Sequence, residues 1–157
     1  IVMSPKSLLR HSGVASNLSE FIKGSFSFLL VTSPKTKKKE KFALLCSGKV
    51  YYDLLKHKEE KKTKKDPAIV RFEQLYPFPR EALTDFLKAN PHIKELRWVQ
   101  EEPQNMGAWN FITYKIAHCA PKHSLTFVGR KNSGSTAEGT LKAHQLEQER
   151  IVTEAYS

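Results

Sequence analysis

Cysteine is scarce in this 157-residue sequence, and its two cysteines, Cys46 and Cys119, do not have the spacing of a disulfide framework. We therefore expect free thiols in a reducing compartment. His118 and His123 lie close to Cys119, but this group has too few ligands at the usual spacing for a zinc site. No apolar run reaches the length of a transmembrane helix, so a helix that spans a membrane is excluded.

Acidic residues are also few: the sequence has 16 Asp and Glu residues but 26 Lys and Arg residues, which gives a net charge of +10. The surplus is concentrated in two runs, with five lysines in Lys35–Lys41 and six in Lys56–Lys65. Neither run carries interleaved aromatic residues for base stacking or a periodic apolar face. Both are predicted to be solvated loops or an exposed helix end. A basic nucleic-acid-binding module is the less favoured alternative, and a steep loss of binding with salt would distinguish it.

Apolar periodicity predicts strands that mostly alternate with helices. The predicted strands span residues 1–3, 26–31, 42–46, 68–75, 95–100 and 124–128, and the last helix runs from a Ser135 cap to about residue 155. Repeated strand–helix units indicate an α/β fold whose mainly parallel sheet is covered on both faces.

Two strand ends carry basic residues that are suited to an anion. Ser47, Gly48 and Lys49 lie between the strand 42–46 and the next helix, where backbone N–H groups and the helix dipole favour negative charge. Arg130 follows the strand 124–128. If these two strands are neighbours, their ends form one pocket for the phosphate of a nucleotide or of coenzyme A. The alternative is a tight packing turn, and the glycine pattern of a triphosphate-binding loop is absent.

The most distinctive segment follows the strand Glu95–Gln100. We predict that this strand breaks at Glu101-Glu102-Pro103 and that a helix starts near residue 108. Consecutive carboxylates at a strand end point to opposite sides, and one that faces inward must be paired. The simpler interpretation is a solvated loop with Trp109 in a core.

The mixture of amides, carboxylates and an aromatic anchor favours a contact with another domain or subunit. The predicted interface loop comprises Gln100, Glu101, Glu102, Gln104, Asn105, Gly107 and Trp109.

Five motifs in order resemble the carboxyl-terminal domain of the first, thiamine-diphosphate-dependent component of the 2-oxoglutarate dehydrogenase complex. They are the segments 1–11, 45–53, 69–79 and 100–109, and the segment 128–133 followed by Gly139 and His144. The chain departs from the family pattern at Lys131 and Asn132, which replace a proline region, and at residues 136–138, which read Thr-Ala-Glu where Pro-Ala-x is usual. The conformation of that loop is therefore left open.

The resemblance implies a transketolase-C-terminal-like fold, with three α/β/α layers and a mixed, mostly parallel sheet. It implies a single domain over residues 1–157, with a linker helix region at 1–25 and an α/β core at 26–157. Because the sequence opens on Ile-Val-Met without an initiator methionine, we expect a piece of a longer enzyme.

For that enzyme, the resemblance implies oxidative decarboxylation of 2-oxoglutarate and succinyl transfer to a lipoyl group of the second component. Thiamine diphosphate and magnesium would be bound by other domains, so no catalytic or metal-binding residue is expected in this chain. Its role would be to form the homodimer, with an effector site as a further option. The alternative is the same domain of a 2-oxoadipate dehydrogenase or another thiamine-dependent enzyme. The expected compartment is bacterial cytoplasm or mitochondrial matrix.

Overall fold

The sheet of this protein has five strands and is mixed but mostly parallel. The computed structural model describes residues 1, 3–35, 40–60 and 63–157. The strands are β1 Leu29–Thr32, β2 Phe42–Cys46, β3 Ala68–Phe72, β4 Glu95–Pro103 and β5 Ser124–Arg130. Their order is β1-β3-β2-β4-β5, with β1 antiparallel to β3 and every other pair parallel. The predicted sheet type is confirmed.

Helices cover both faces of this sheet. They are α1 Leu18–Lys23, α2 Val50–Glu59, α3 Arg80–Ala89, α4 Trp109–Cys119 and α5 Leu141–Ala155, preceded by short 3-10 segments at Lys6–Arg10 and Ser12–Val14. Helices α3 and α4 pack with Trp98 in one apolar cluster, and α2 and α5 pack with Val99 in the other. Neighbouring residues of β4 thus enter different cores, as the pleat of a strand requires. The three-layer prediction is confirmed.

The first residues contribute little to these cores. The two 3-10 segments and α1 contain no buried residue. Ile1 and Met3 do not form the predicted strand, and Val2 lies outside the described residues. Parts of both lysine runs, residues 36–39 and 61–62, also lie outside them, while Lys56 is exposed on α2.

Strand β4 is longer than predicted, because Glu101, Glu102 and Pro103 continue it. Pro103 pairs with Arg130 of β5 after an irregularity in the register that begins at Val99. The prediction of a break at the carboxylates was therefore wrong. A proline is tolerated here because it lies at the strand end, where β5 also ends.

The predicted cap of the last helix was also wrong. The Thr140 hydroxyl accepts a hydrogen bond from the Ala143 N–H (3.2 Å) and caps α5. Ser135 instead donates to the carbonyl of Ala137 (2.8 Å) in the loop before it. Both are capping-type residues, but α5 begins only after the later one.

Candidate functional site

The candidate site lies where β2, β4 and β5 end. Because these strands are parallel, their carboxyl ends lie on one edge of the sheet. Three segments leave this edge: the turn 47–49 after β2, the loop 104–108 after β4, and the loop 131–140 after β5. Every predicted site residue lies in one of these segments, next to it, or in the last four residues of the strand before it.

Gln100 is the buried centre of the loop after β4, with only 4% of its surface exposed. Its Oε1 atom accepts hydrogen bonds from the indole Nε1–H of Trp98 (2.9 Å) and the backbone N–H of Trp109 (3.1 Å). Its Nε2 group donates toward three backbone carbonyls, those of Glu102 (3.2 Å), Pro103 (3.1 Å) and Met106 (2.9 Å).

This arrangement settles the orientation of the Gln100 amide, because donors face its oxygen and carbonyls face its nitrogen. The loop therefore folds around a side chain of the preceding strand. Gln100 faces the loop from inside and shapes the surface that the other loop residues present.

Glu101 and Glu102 differ as their alternation predicted. Glu102 is exposed, whereas Glu101 is partly buried and pairs with Lys49, whose Nζ lies 2.7 Å from Glu101 Oε1. Lys49 also donates to Asp53 Oδ2 (2.9 Å), and Gln148 Nε2 donates to the same oxygen (2.8 Å). This network joins β4 and the turn after β2 to α2 and α5.

The network holds the Lys49 ammonium in its charged form. Burial lowers the pKa of Lys49, but hydrogen bonds and Coulomb attraction from Glu101 and Asp53 outweigh it and raise the pKa above its ordinary value. An anionic ligand at this turn would compete with two carboxylates. Gly48 has a positive φ of 71°, which suits glycine, and a Cβ there would meet open space.

Asn105 links the loop after β4 to the loop after β5. Its Nδ2 group donates to the Ser133 carbonyl (2.9 Å), and its Oδ1 accepts from the Ser133 N–H (3.0 Å). The backbone N–H of Gln104 donates to the Arg130 carbonyl (3.0 Å). The two loops thus form one polar rim at the edge of the sheet.

Gly107 and Trp109 close the loop. Gly107 has a φ of 63°, and a Cβ there would lie 3.0 Å from Gln100 Nε2. The ring of Trp109 is partly buried and lies 5.1 Å from that of Phe127. This contact packs the first turn of α4 against β5 at the margin of the core.

Arg130 and Lys49 do not share a pocket. The predicted common pocket required β2 and β5 to be neighbours, but β4 lies between them. Lys49 lines a cavity of about 330 Å³ between α2 and α5, while Arg130 lines another of about 730 Å³ beside the loop 131–139. Arg130 pairs with Glu138 (2.5 Å) and donates to the Thr136 carbonyl (3.1 Å). Binding of an effector by Ser47, Gly48, Lys49 and Arg130 stays a prediction.

Some residues that take part in the contacts at this edge of the sheet were not identified from the sequence. Asp53 lies one helical turn after Lys49, and the i, i+4 spacing of opposite charges was a usable signal. Gln148 and Ser133 are far along the chain from their partners, and no local pattern indicated them. Both cysteines are free thiols, and burial raises the pKa of Cys46 to about 12.

The described residues offer no group of three or more His, Cys, Asp or Glu side chains that could hold a metal ion. Across residues 1, 3–35, 40–60 and 63–157, no helix is long and apolar enough to cross a membrane.

The described elements form a three-layer α/β/α domain with a mostly parallel sheet, and its fold is transketolase-like. A solved structure of split-gene transketolase, described as an inactive β4 tetramer, matches with a TM-score of 0.53 at 15% identity, over 80% of this chain and 40% of that chain. The chain belongs to the 2-oxoglutarate dehydrogenase C-terminal family, which matches residues 15–156.

Curated relatives agree with this assignment. A 2-oxoglutarate dehydrogenase E1 component of Shouchella clausii is 44% identical over 99% of this chain, and one of Haemophilus influenzae is 40% identical over 100% of it. The one of Cupriavidus necator is 38% identical over 100% of the chain. In each case the chain spans 17% of the relative's length.

Proposed function

We propose that this chain is the carboxyl-terminal domain of an E1 component that oxidatively decarboxylates 2-oxoglutarate and transfers the succinyl group to a lipoyl group. The observation that carries the proposal is the sequence identity of 38–44% between this chain and proteins named 2-oxoglutarate dehydrogenase E1 component, over nearly the whole chain. The free thiols fit the bacterial cytoplasm or the mitochondrial matrix, both of which are reducing.

The activity is tested with the full-length protein that contains this chain. Purified protein with thiamine diphosphate and magnesium is given 2-oxoglutarate or 2-oxoadipate, and turnover is followed with an artificial electron acceptor. We expect the higher kcat/KM with 2-oxoglutarate. A higher value with 2-oxoadipate would favour the alternative family member, and no turnover of either would refute the proposal.

The cofactor is assigned to the rest of the enzyme. We infer that thiamine diphosphate and magnesium are held by other domains, because this chain spans only 17% of the length of the relatives it matches. In the enzyme, the bound cofactor supplies the carbanion stabilisation that decarboxylation needs. This chain would act on that chemistry only by supporting the domains that bind it.

The segment 100–109, which comprises the end of β4 and the loop after it, is the proposed contact of this domain within the homodimer. Its exposed face carries Glu102, Asn105 and Gly107, while Gln100 and Trp109 hold it from inside. A surface that is already shaped loses little conformational entropy when it binds. The lipoyl-bearing succinyltransferase component is the second proposed partner of the enzyme.

This contact is tested by Glu101→Gln and Glu102→Gln in the full-length enzyme. We expect both variants to fold, and at least one to weaken dimerisation in sedimentation experiments or to lower kcat. Unchanged assembly and turnover in both would show that the loop is only solvated surface.

An effector site at Ser47, Gly48, Lys49 or Arg130 is proposed for a nucleotide or coenzyme A phosphate. Calorimetry with adenosine monophosphate and with coenzyme A tests it. If Arg130 binds the phosphate, Arg130→Ala should weaken binding by about 1–3 kcal/mol, as for a charge-assisted hydrogen bond. Because Lys49 lines a different cavity, Lys49→Ala is the control. Loss of binding in that variant alone would place the ligand at the turn after β2, and no binding to the wild type would leave these residues a structural role.

A further inference from the structure

The opposite edge of the sheet, where the parallel strands begin, gathers lysines that are distant in the sequence. Ala43 of β2 pairs with Ala68 of β3, Phe42 pairs with Glu95 of β4, and Glu95 pairs with Ser124 of β5. The residues just before these strands are therefore neighbours in the order β3, β2, β4, β5. Four exposed lysines of those segments, Lys64, Lys41, Lys94 and Lys122, form what we call the amino-end ridge; Lys65 is partly buried and donates to the Ser157 carbonyl instead.

Backbone hydrogen bonds hold part of the ridge in place. The N–H of Lys94 donates to the Lys41 carbonyl (2.7 Å), and the N–H of Ser124 donates to the Lys94 carbonyl (3.0 Å). Adjacent strands are about 4.8 Å apart, so three cations stand at the starts of three successive strands. Rigid backbone positions thus carry flexible lysine side chains.

The ridge lysines are exposed and are not neutralised by the nearest carboxylates. Among the described residues, none of the four forms an ion pair; the Lys94 ammonium donates to the Pro91 carbonyl (2.8 Å). Asp66, near the start of β3, pairs with Lys58, and Glu95 at the start of β4 pairs with Arg97. These two carboxylates are therefore engaged by other cations.

The field of the ridge reaches its neighbour His123. Burial lowers the pKa of His123, and the positive charge of Lys94 lowers it further. Lysines at the starts of neighbouring strands thus add to one positive potential, and such a potential attracts oppositely charged partners over about a Debye length.

We propose that the amino-end ridge docks an acidic segment of a partner protein. Lysines are point charges on flexible stems, and they can pair with carboxylates without a fixed geometry. Arginine and the large aromatic residues Phe, Tyr and Trp, which favour phosphate forks and base stacking, are absent from the described residues 40–41, 63–67, 91–94 and 120–123 that precede the four strands. The ring of Phe42, the first residue of β2, is buried, so this ring is not available to insert into a lipid surface.

The ridge lies at the edge opposite to the loop after β4, because a parallel strand begins at one edge and ends at the other. A partner on the ridge would leave that loop free for its own contact. The ridge proposal therefore does not depend on the assigned activity.

The test uses the full-length protein and a fluorescent poly-L-glutamate as the acidic probe. The variant Lys41→Gln/Lys94→Gln/Lys122→Gln should weaken binding about tenfold at low salt, since each exposed charge contributes little alone. Binding by the wild type should also fall steeply as salt is added. The matched control is Lys6→Gln/Lys23→Gln/Lys142→Gln, which removes the same charge from exposed positions elsewhere and should change binding by less than about twofold.

Circular dichroism and thermal unfolding of both triple variants show whether the fold is kept. An equal loss in the control would mean that only net charge matters and would overturn the proposal. Tighter binding of the wild type to duplex DNA or to vesicles with anionic lipid, lost in the ridge variant, would assign the surface to another class of partner and would also overturn it. No measurable binding of poly-L-glutamate by the wild type at low salt would do the same.

Discussion

The ammonium of Lys49 lies 2.7 Å from the carboxylate of Glu101, and this pair joins the turn after β2 to the end of β4. Both side chains are about one-quarter exposed, so water screens their attraction only in part. Glu102, the next residue, is exposed and points away. Two chemically identical neighbours therefore have different roles.

This difference predicts unequal effects of neutralisation on stability. Glu101→Gln should lower the free energy of unfolding by about 1–2 kcal/mol, because Lys49 keeps only Asp53 as a charged partner. Glu102→Gln should stay within about 0.5 kcal/mol of the wild type. Urea unfolding of the chain measures both, and equal effects would contradict the assigned pairing.

Gln100 and Trp98 should be energetically coupled. Gln100→Leu removes the acceptor of the buried indole N–H of Trp98 and of the Trp109 N–H, and should cost about 2–3 kcal/mol. In Trp98→Phe the indole donor is absent, so adding Gln100→Leu should cost less there, with a coupling of about 0.5–1.5 kcal/mol. A double-mutant cycle by urea unfolding gives this value directly. Strictly additive effects would mean that the indole hydrogen bond contributes nothing.

Gly107 and Gly48 form a matched pair for the cost of a side chain. Both have positive φ, so alanine at either position should cost about 1–2 kcal/mol. At Gly107 the added Cβ would also lie 3.0 Å from Gln100 Nε2, whereas at Gly48 it meets nothing within 4 Å. Gly107→Ala should therefore cost about 1 kcal/mol more than Gly48→Ala. Thermal unfolding of both variants checks which substitution costs more stability. A larger cost for Gly48→Ala would show that the loop after β4 shifts to accommodate the added Cβ.

Glu95 should make stability depend on pH. Arg97 donates to both of its carboxylate oxygens, from Nε at 2.7 Å and Nη2 at 3.2 Å, and this lowers the pKa of Glu95 below its ordinary 4.5. A lowered pKa in the folded state stabilises the fold above the unfolded pKa, and that stabilisation is lost as the pH falls through the folded value.

We expect Glu95→Gln to lower the free energy of unfolding at pH 7 by less than about 1 kcal/mol, since Glu95 is partly exposed. The variant should also lose less stability than the wild type when the pH falls below 4.5. Unfolding measured at a series of pH values tests this, with Glu81→Gln on the exposed face of α3 as the control. Parallel curves for the wild type and Glu95→Gln would rule out the contribution of this pair.

Local patterns were sufficient for most of the secondary structure and for the sheet type. The apolar run 42–46 becomes the fully buried strand β2, and the amphipathic segment 80–89 becomes α3. Alternation along the strand end predicted one paired and one exposed carboxylate, because the side-chain period of a strand is two. The five motifs also indicated the family that the comparisons then showed.

The sequence by itself therefore determined most of the elements, the mostly parallel sheet and the family, since these depend on residue type and on short-range spacing. Only the tertiary structure decided which strand ends are neighbours. Placing β4 between β2 and β5 separates Lys49 from Arg130 and brings Glu101 to Lys49. It also aligns the lysines of the amino-end ridge, because strand order is set by long-range packing of the helices on both faces, which no local pattern encodes.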